Sequence, residues 1–168
     1  MGLDMYLNKQ TYIGNHHKVK ADMVDIKMEG VKKERLSTIT EQVGYWRKAN
    51  AIHGWIVENV QDGKDECQES YFTEEEMKEL LGVVNKVLKA SKLVKAKVVN
   101  GYTMKGSEKI ENPAVAKELL PVTSGFFFGD SNEDTAYDEW YYEQLVETKK
   151  IMEECLKEGG DYYYHSSW

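Results

Sequence analysis

Arginine is almost missing from this chain: of its 22 basic residues only Arg35 and Arg47 carry a guanidinium, and the rest are lysines. Lysine is a strongly hydrated point charge, whereas arginine offers a planar fork matched to phosphate, to carboxylate and to aromatic faces. Cysteine is equally scarce. Cys67 and Cys155 lie far apart and match no metal or redox spacing. No long apolar run and no signal peptide are evident, so a cytosolic protein with reduced thiols is expected. Positive charge is in deficit as well. A formal net charge of −7 argues against general affinity for a nucleic-acid polymer or an anionic membrane. Catalytic signatures are missing too: no Gly-rich phosphate loop followed by Lys-Ser/Thr, no His-Glu-x-x-His, no Cys-x-x-Cys and no Ser elbow between glycines. The adjacent His16 and His17 lack other evident ligands, so no metal site and no cofactor are expected.

What is present is ordinary in bulk and uneven in detail. With 168 residues, 41% hydrophobic and 30% charged, the chain suits one domain that buries a core without disulfide staples. Tyrosine supplies 11 of its 19 aromatic residues, clustered at 137–142 and 162–164. Tyr and Trp favour interfaces and ligand walls over deep cores.

The organising stretch is Gly44 to Val60, which reads as a strand end running into a helix. Ala49, Ile52, Ile56 and Val60 fall on one helical stripe. At about 100° per residue, Arg47, Ala51, Gly54 and Glu58 share the opposite face, with Trp46, Asn50, His53 and Val57 on one border. Gly54 inside a helix costs about 1 kcal/mol relative to Ala, which needs a compensating reason such as close approach of another group. Ala51 and Gly54 would leave a shallow groove beside Arg47.

Taken in order, Leu3, Met5 and Leu7 alternate with Asp4, Tyr6 and Asn8, a half-buried strand reaching Ile13. Gly14 to His17 is a turn, Asp22 to Met28 a second strand, and Val31 to Val43 one or two more, giving an antiparallel meander. Cys67 to Phe72 is a short strand. Thr73 with Glu76 forms a capping box ahead of the stripe Met77, Leu80, Leu81, Val84, Val87 and Leu88. Asn100-Gly101 marks a hairpin within 92–110, a possible insertion. Asn112-Pro113 opens a short helix that Pro121 ends. Phe126 to Phe128 stand between glycines, as a buried strand or with one ring offered outward. A long helix over Tyr137–Lys157, capped by Asp134 or Thr135, has Tyr141, Leu145, Thr148, Met152 and Cys155 inward, and Gly159-Gly160 ends it. Asp161 to Trp168 is a docked strand. The expected fold is one α+β domain over 1–168: an antiparallel sheet of N-terminal meander and C-terminal strand, with three main helices.

The candidate constellation is a binding one. Arg47 and Lys48 would pair phosphate near a helix start, and Tyr45, Trp46, Phe127, Tyr137 and Tyr141 would stack on a base. Asn50 and His53 would meet polar edges, and Ser124 belongs to the same ligand-binding set. The enzymatic alternative rests on His53 with Glu58, Asp138 or Asp130 as an acid–base partner; in the structural alternative the rings only glue layers or subunits together.

Met1 to Leu7, Gly44 to His53, Leu119-Leu120-Pro121 with Ser124 to Gly129, and Tyr137 to Tyr141 together resemble a family of small uncharacterised proteins from bacteriophages and prophages. The resemblance covers nearly the whole chain, least around the Lys-rich hairpin. Members sometimes carry a phosphoglycerate kinase label, but this chain is far too short for that two-domain enzyme. A phage origin implies action in an infected bacterial cytoplasm. It brings in, by analogy of class, anti-defence sponges that sequester immune signalling nucleotides, usually as homo-oligomers. A nucleotide-degrading enzyme and a protein-binding inhibitor of a host factor are the rivals.

Overall fold

Period-two patterning dictates the first element. Leu3, Met5 and Leu7 are fully buried while Asp4, Tyr6 and Asn8 lie half-buried on the opposite face of β1 (Asp4–Tyr12). The structure, a computed structural model, describes residues 2–96, 108–123 and 136–168. Within them β1 pairs antiparallel with β2 (Thr38–Arg47) on one side and with β6 (Asp161–Ser167) on the other. A short edge strand, β3 (Ser70–Phe72), pairs with β6, so the sheet order is β2-β1-β6-β3. A two-stranded sheet joins β4 (Leu93–Lys95) to β5 (Glu108–Ile110). The helices are α1 (Asn50–Val60), α2 (Glu74–Ala90), a short α3 (Ala114–Leu119) and α4 (Glu139–Glu158). This is the single α+β domain expected, with three main helices.

The helical patterns fold as their spacing requires. Thr73 Oγ1 accepts from the Glu76 amide while Glu76 accepts from the Thr73 amide, satisfying two of the donors a helix start leaves over. From that cap, Met77, Leu80, Val84 and Val87 bury one stripe of α2. α4 packs beside it and against β2 with Tyr141, Leu145, Thr148, Met152 and Cys155 inward. Gly159 ends α4 at φ 64°.

Two expectations differ. Asp22 to Met28 is not a strand: the long connection between β1 and β2 carries only short 3-10 turns at Ala21–Met23 and Lys33–Arg35. The place beside β1 that a meander strand would need is taken by β6, and Met23 and Met28 are left about two-thirds exposed, at 66% and 65%. The α4 cap is Asp138, whose Oδ1 accepts from the Tyr141 amide at 3.0 Å; Asp134 and Thr135 lie outside the described residues, as does the Asn100-Gly101 turn. β1 also reaches a register shift opposite Val43, where β2 carries an extra residue.

Cys155, on the buried side of α4, has its thiol pushed up to about 11, chiefly by burial. Its folded value lies above the ordinary one of 9.0, so the stability it contributes is present below that value and lost as pH rises through about 11. A thiol-specific chromophore at neutral pH should therefore label the half-buried Cys67 at once and Cys155 only after unfolding. Two equally fast thiols would contradict this packing.

Candidate functional site

The end of β2 divides its side chains between two surfaces. Gly44 and Trp46 face the helices, and Tyr45 and Arg47 face away. Trp46 is 1% exposed and donates its Nε1–H to Thr148 Oγ1 at 2.9 Å. Gly44 allows this packing, since a Cβ there would lie 3.1 Å from Ile151, Leu7 and Trp46 side chains. Lys48 turns the corner at φ 55°, exposed, with its amide bonded to Leu3 O at 2.8 Å. Helical geometry then begins only at Asn50. The helical grouping of Arg47 with Ala51, Gly54 and Glu58 therefore fails, because Trp46 and Arg47 belong to the strand.

On the outer face, rows of side chains run across the strands. Tyr45, Tyr6 and His165 are register partners on β2, β1 and β6. The Tyr6 and His165 rings stack with centroids 4.8 Å apart and 13° between planes. Tyr45 tilts against Tyr6 at 5.4 Å and donates its hydroxyl to Asp4 Oδ1. That bond, with lesser help from the rest of its surroundings, raises the Tyr45 pKa, while the neighbouring Arg47 charge opposes the rise. Arg47 is exposed, stands opposite Asp4 in register, and forms no ion pair among the described residues. One row along, Tyr163 packs against Tyr71 at 5.3 Å and meets the Tyr12 hydroxyl at 2.8 Å. The Tyr12 bond, ahead of burial, pushes Tyr163 up to about 12, so the Tyr163 phenol is uncharged at neutral pH. The face is thus aromatic and hydroxyl-rich, with the Arg47 guanidinium in no ion pair among the described residues.

A second feature lies on the far side of α1. A cleft of about 490 Å³ opens between α1 and residues 119–123, lined by Ala51, Gly54, Trp55, Glu58 and Pro121 among others. Close approach is the reason for Gly54: a Cβ there would come within 2.9 Å of Thr123 Cγ2. The groove expected from Ala51 and Gly54 exists, but neither Arg47 nor Tyr45 lines it.

His53, 1% exposed at the cleft wall, is held at both ring nitrogens. Nε2 lies 3.0 Å from Asp65 Oδ2 and Nδ1 lies 2.6 Å from the Tyr164 hydroxyl. An ionised Asp65 can only accept, so Nε2 carries the proton and Nδ1 accepts from Tyr164. Burial, with Asp65 adding to it, holds the Tyr164 pKa well above its ordinary value and keeps that hydroxyl a donor. Asp65 Oδ1 also accepts from Trp168 Nε1 at 3.1 Å and, more weakly, from Ser166 at 3.5 Å. The arrangement ties α1 to the end of β6. A lone pair already committed to Tyr164 cannot take a substrate proton, so the geometry does not favour His53 as a general base.

The remaining candidates separate. Tyr137 and Tyr141 are buried pins: the Tyr137 hydroxyl accepts from the Val122 amide at 3.2 Å, and the Tyr141 hydroxyl donates to Leu120 O at 2.9 Å. Neither is a stacking plate for a visitor, nor is Trp46. Asn50 begins α1, and its carbonyl accepts from Thr123 Oγ1 at 3.0 Å. Asp138 is spent on the α4 cap, and His53 pairs with Asp65 rather than with it. Ser124, Phe127 and Asp130 lie outside the described residues. Of the ten candidates, the structure brings Tyr45 and Arg47 together on one face, with Lys48 next in sequence. Tyr6 and His165, which complete this aromatic row, were not singled out, although each sits in a strand-like alternation that puts it opposite the buried row. Asp65 had no signal beyond its polar turn.

No family model matches the chain, and neither does any curated protein or solved structure. Among the described residues no helix is long and apolar enough to cross a membrane.

Proposed function

We propose that this protein captures a small, planar, nucleotide-like anion on the outer face of its sheet and performs no chemistry on it. Arg47 takes the phosphate, with Lys48 beside it. Tyr45 and the stacked pair of Tyr6 and His165 take the base. The observation that carries this reading is an exposed guanidinium without an ion pair among the described residues, two positions from an exposed tyrosine ring on the same strand face. Two positions along a strand span about 6.8 Å, comparable to the reach from a base to its phosphate.

Magnitudes favour capture at modest affinity. Stacking is worth about 1–3 kcal/mol per base, and a charge-assisted hydrogen bond about 1.5–3 kcal/mol. One stack and one fork suffice only for roughly millimolar binding, and micromolar binding needs a second plate. A homo-oligomer that brings two outer faces together would supply it. The resemblance to phage and prophage proteins adds a setting: in an infected bacterial cytoplasm, a sponge for immune signalling nucleotides needs no catalytic group. Degradation of the ligand by His53 is less well supported, because both of its ring nitrogens are engaged. A protein-binding inhibitor would use the same rings and ignore nucleotides.

The test is calorimetric titration with a panel of adenine mononucleotides, cyclic mononucleotides and cyclic dinucleotides. One class should bind at roughly micromolar Kd and be recovered unchanged after denaturation. Arg47→Ala and Tyr45→Ala should each weaken it about tenfold or more, equivalent to about 1.4 kcal/mol, and should each cost less than about 1 kcal/mol of stability as exposed substitutions. A silent panel would sink the proposal, and a converted ligand would replace it with the degrading enzyme.

A further inference from the structure

The cleft beside α1 does not share the electrostatics of the sheet face. Its charged lining is acidic only: Glu58 from α1 and Asp65 from the turn that follows it, with no Lys or Arg. Lys64 and Lys117 are neighbours in sequence, but both are exposed and neither lines the cleft. The residues after Thr123, from Ser124 to Thr135, also contain no basic residue. Glu58 is exposed and enters no ion pair among the described residues, so its charge is not neutralised by the protein. Asp65 is held in place by His53 and Trp168, so its carboxylate is oriented before any ligand arrives. Apart from His53, Asn59 and Thr123 the rest of the wall is apolar, and Trp55 adds an aromatic ring whose face attracts cations. At about 490 Å³ the cleft falls within the range of small-molecule sites.

We propose that this cleft is a second binding site, for an organic ammonium ion with a compact apolar body: the ammonium between Glu58 and Asp65, the body against Trp55, Ala51 and Pro121. An anion is excluded by the same two carboxylates, which separates this site from the sheet face. It stands whether or not Arg47 binds a nucleotide.

Three probes of one shape isolate the charge. Titrating the full chain with 2-phenylethylamine, 2-phenylethanol and phenylacetate at low salt, with tryptophan fluorescence and calorimetry as readouts, should rank the amine at least fivefold tighter than the alcohol. The carboxylate should show no binding. Glu58→Gln, an exposed and nearly isosteric change, should remove most of that preference and leave the alcohol unaffected. Raising the salt should do the same to the wild type. Arg47→Ala should leave amine binding unchanged. Amine and alcohol binding equally, the carboxylate binding as well as either, or no binding by the amine would each overturn the proposal.

Discussion

Replacing Trp46 by alanine should destabilise the protein by about 3–5 kcal/mol in chemical denaturation, the range for truncating a large buried aromatic. The same replacement at Tyr45, its neighbour in sequence, should cost less than about 1 kcal/mol. The contrast follows from pleating alone. Trp46 is fully buried under α4, with its indole N–H on Thr148, whereas Tyr45 is 39% exposed and spends its hydroxyl on Asp4. Trp46→Phe separates the two parts of the loss. It keeps most of the apolar volume and removes the N–H, so it should recover more than half of the alanine deficit. Thr148 still donates to Gln144 O at 2.7 Å, which limits the damage from the missing partner. Equal losses at Trp46 and Tyr45 would mean that the strand faces are assigned the wrong way round.

The second large effect belongs to Asp65. Alanine there removes the acceptor for His53 Nε2 and for Trp168 Nε1 and leaves both donors without that partner in partly buried surroundings. An unsatisfied buried donor costs about 1–3 kcal/mol, so Asp65→Ala should lose about 2–4 kcal/mol. The loss should be shared with His53. In a double-mutant cycle the pair Asp65→Ala and His53→Ala should fall short of the sum of the singles by about 1 kcal/mol or more, as contacting residues do. Trp168 emission should shift to the red as its indole loses the carboxylate. Additivity of the two substitutions would show that the network does not couple α1 to β6.

How much of this was legible in the residues depended on the range of the signal. α2 was plain, because its cap and its stripe are local: Thr73 and Glu76 are three apart, and the apolar spacing repeats for about three turns. The inner stripe of α4 was legible for the same reason, and so was the strand character of the tail. The supposed second strand at Asp22 to Met28 failed because a strand needs a neighbour, and β6, from the other end of the chain, occupies that edge. The site was half legible. Arg47 stood out by rarity and Tyr45 as an aromatic ring near it, but Trp46 was grouped with them because a contiguous reading ignores that adjacent strand residues face opposite ways. Tyr6 and His165 meet only after β1 and β6 pair, and Asp65 finds His53 only through the turn after α1. Non-local pairing carries no mark in a single sequence.

The most direct test is to locate the ligand by nuclear magnetic resonance, adding the tightest-binding nucleotide of the panel to isotopically labelled protein. Ring resonances of Tyr45, Tyr6 and His165 and the guanidinium of Arg47 should shift in proportion to occupancy, while Trp46, Tyr137 and Tyr141 stay in place. Shifts confined to Trp55, Thr123 and the α1 cleft, or none at saturating nucleotide, would contradict a binding surface on the outer face of the sheet.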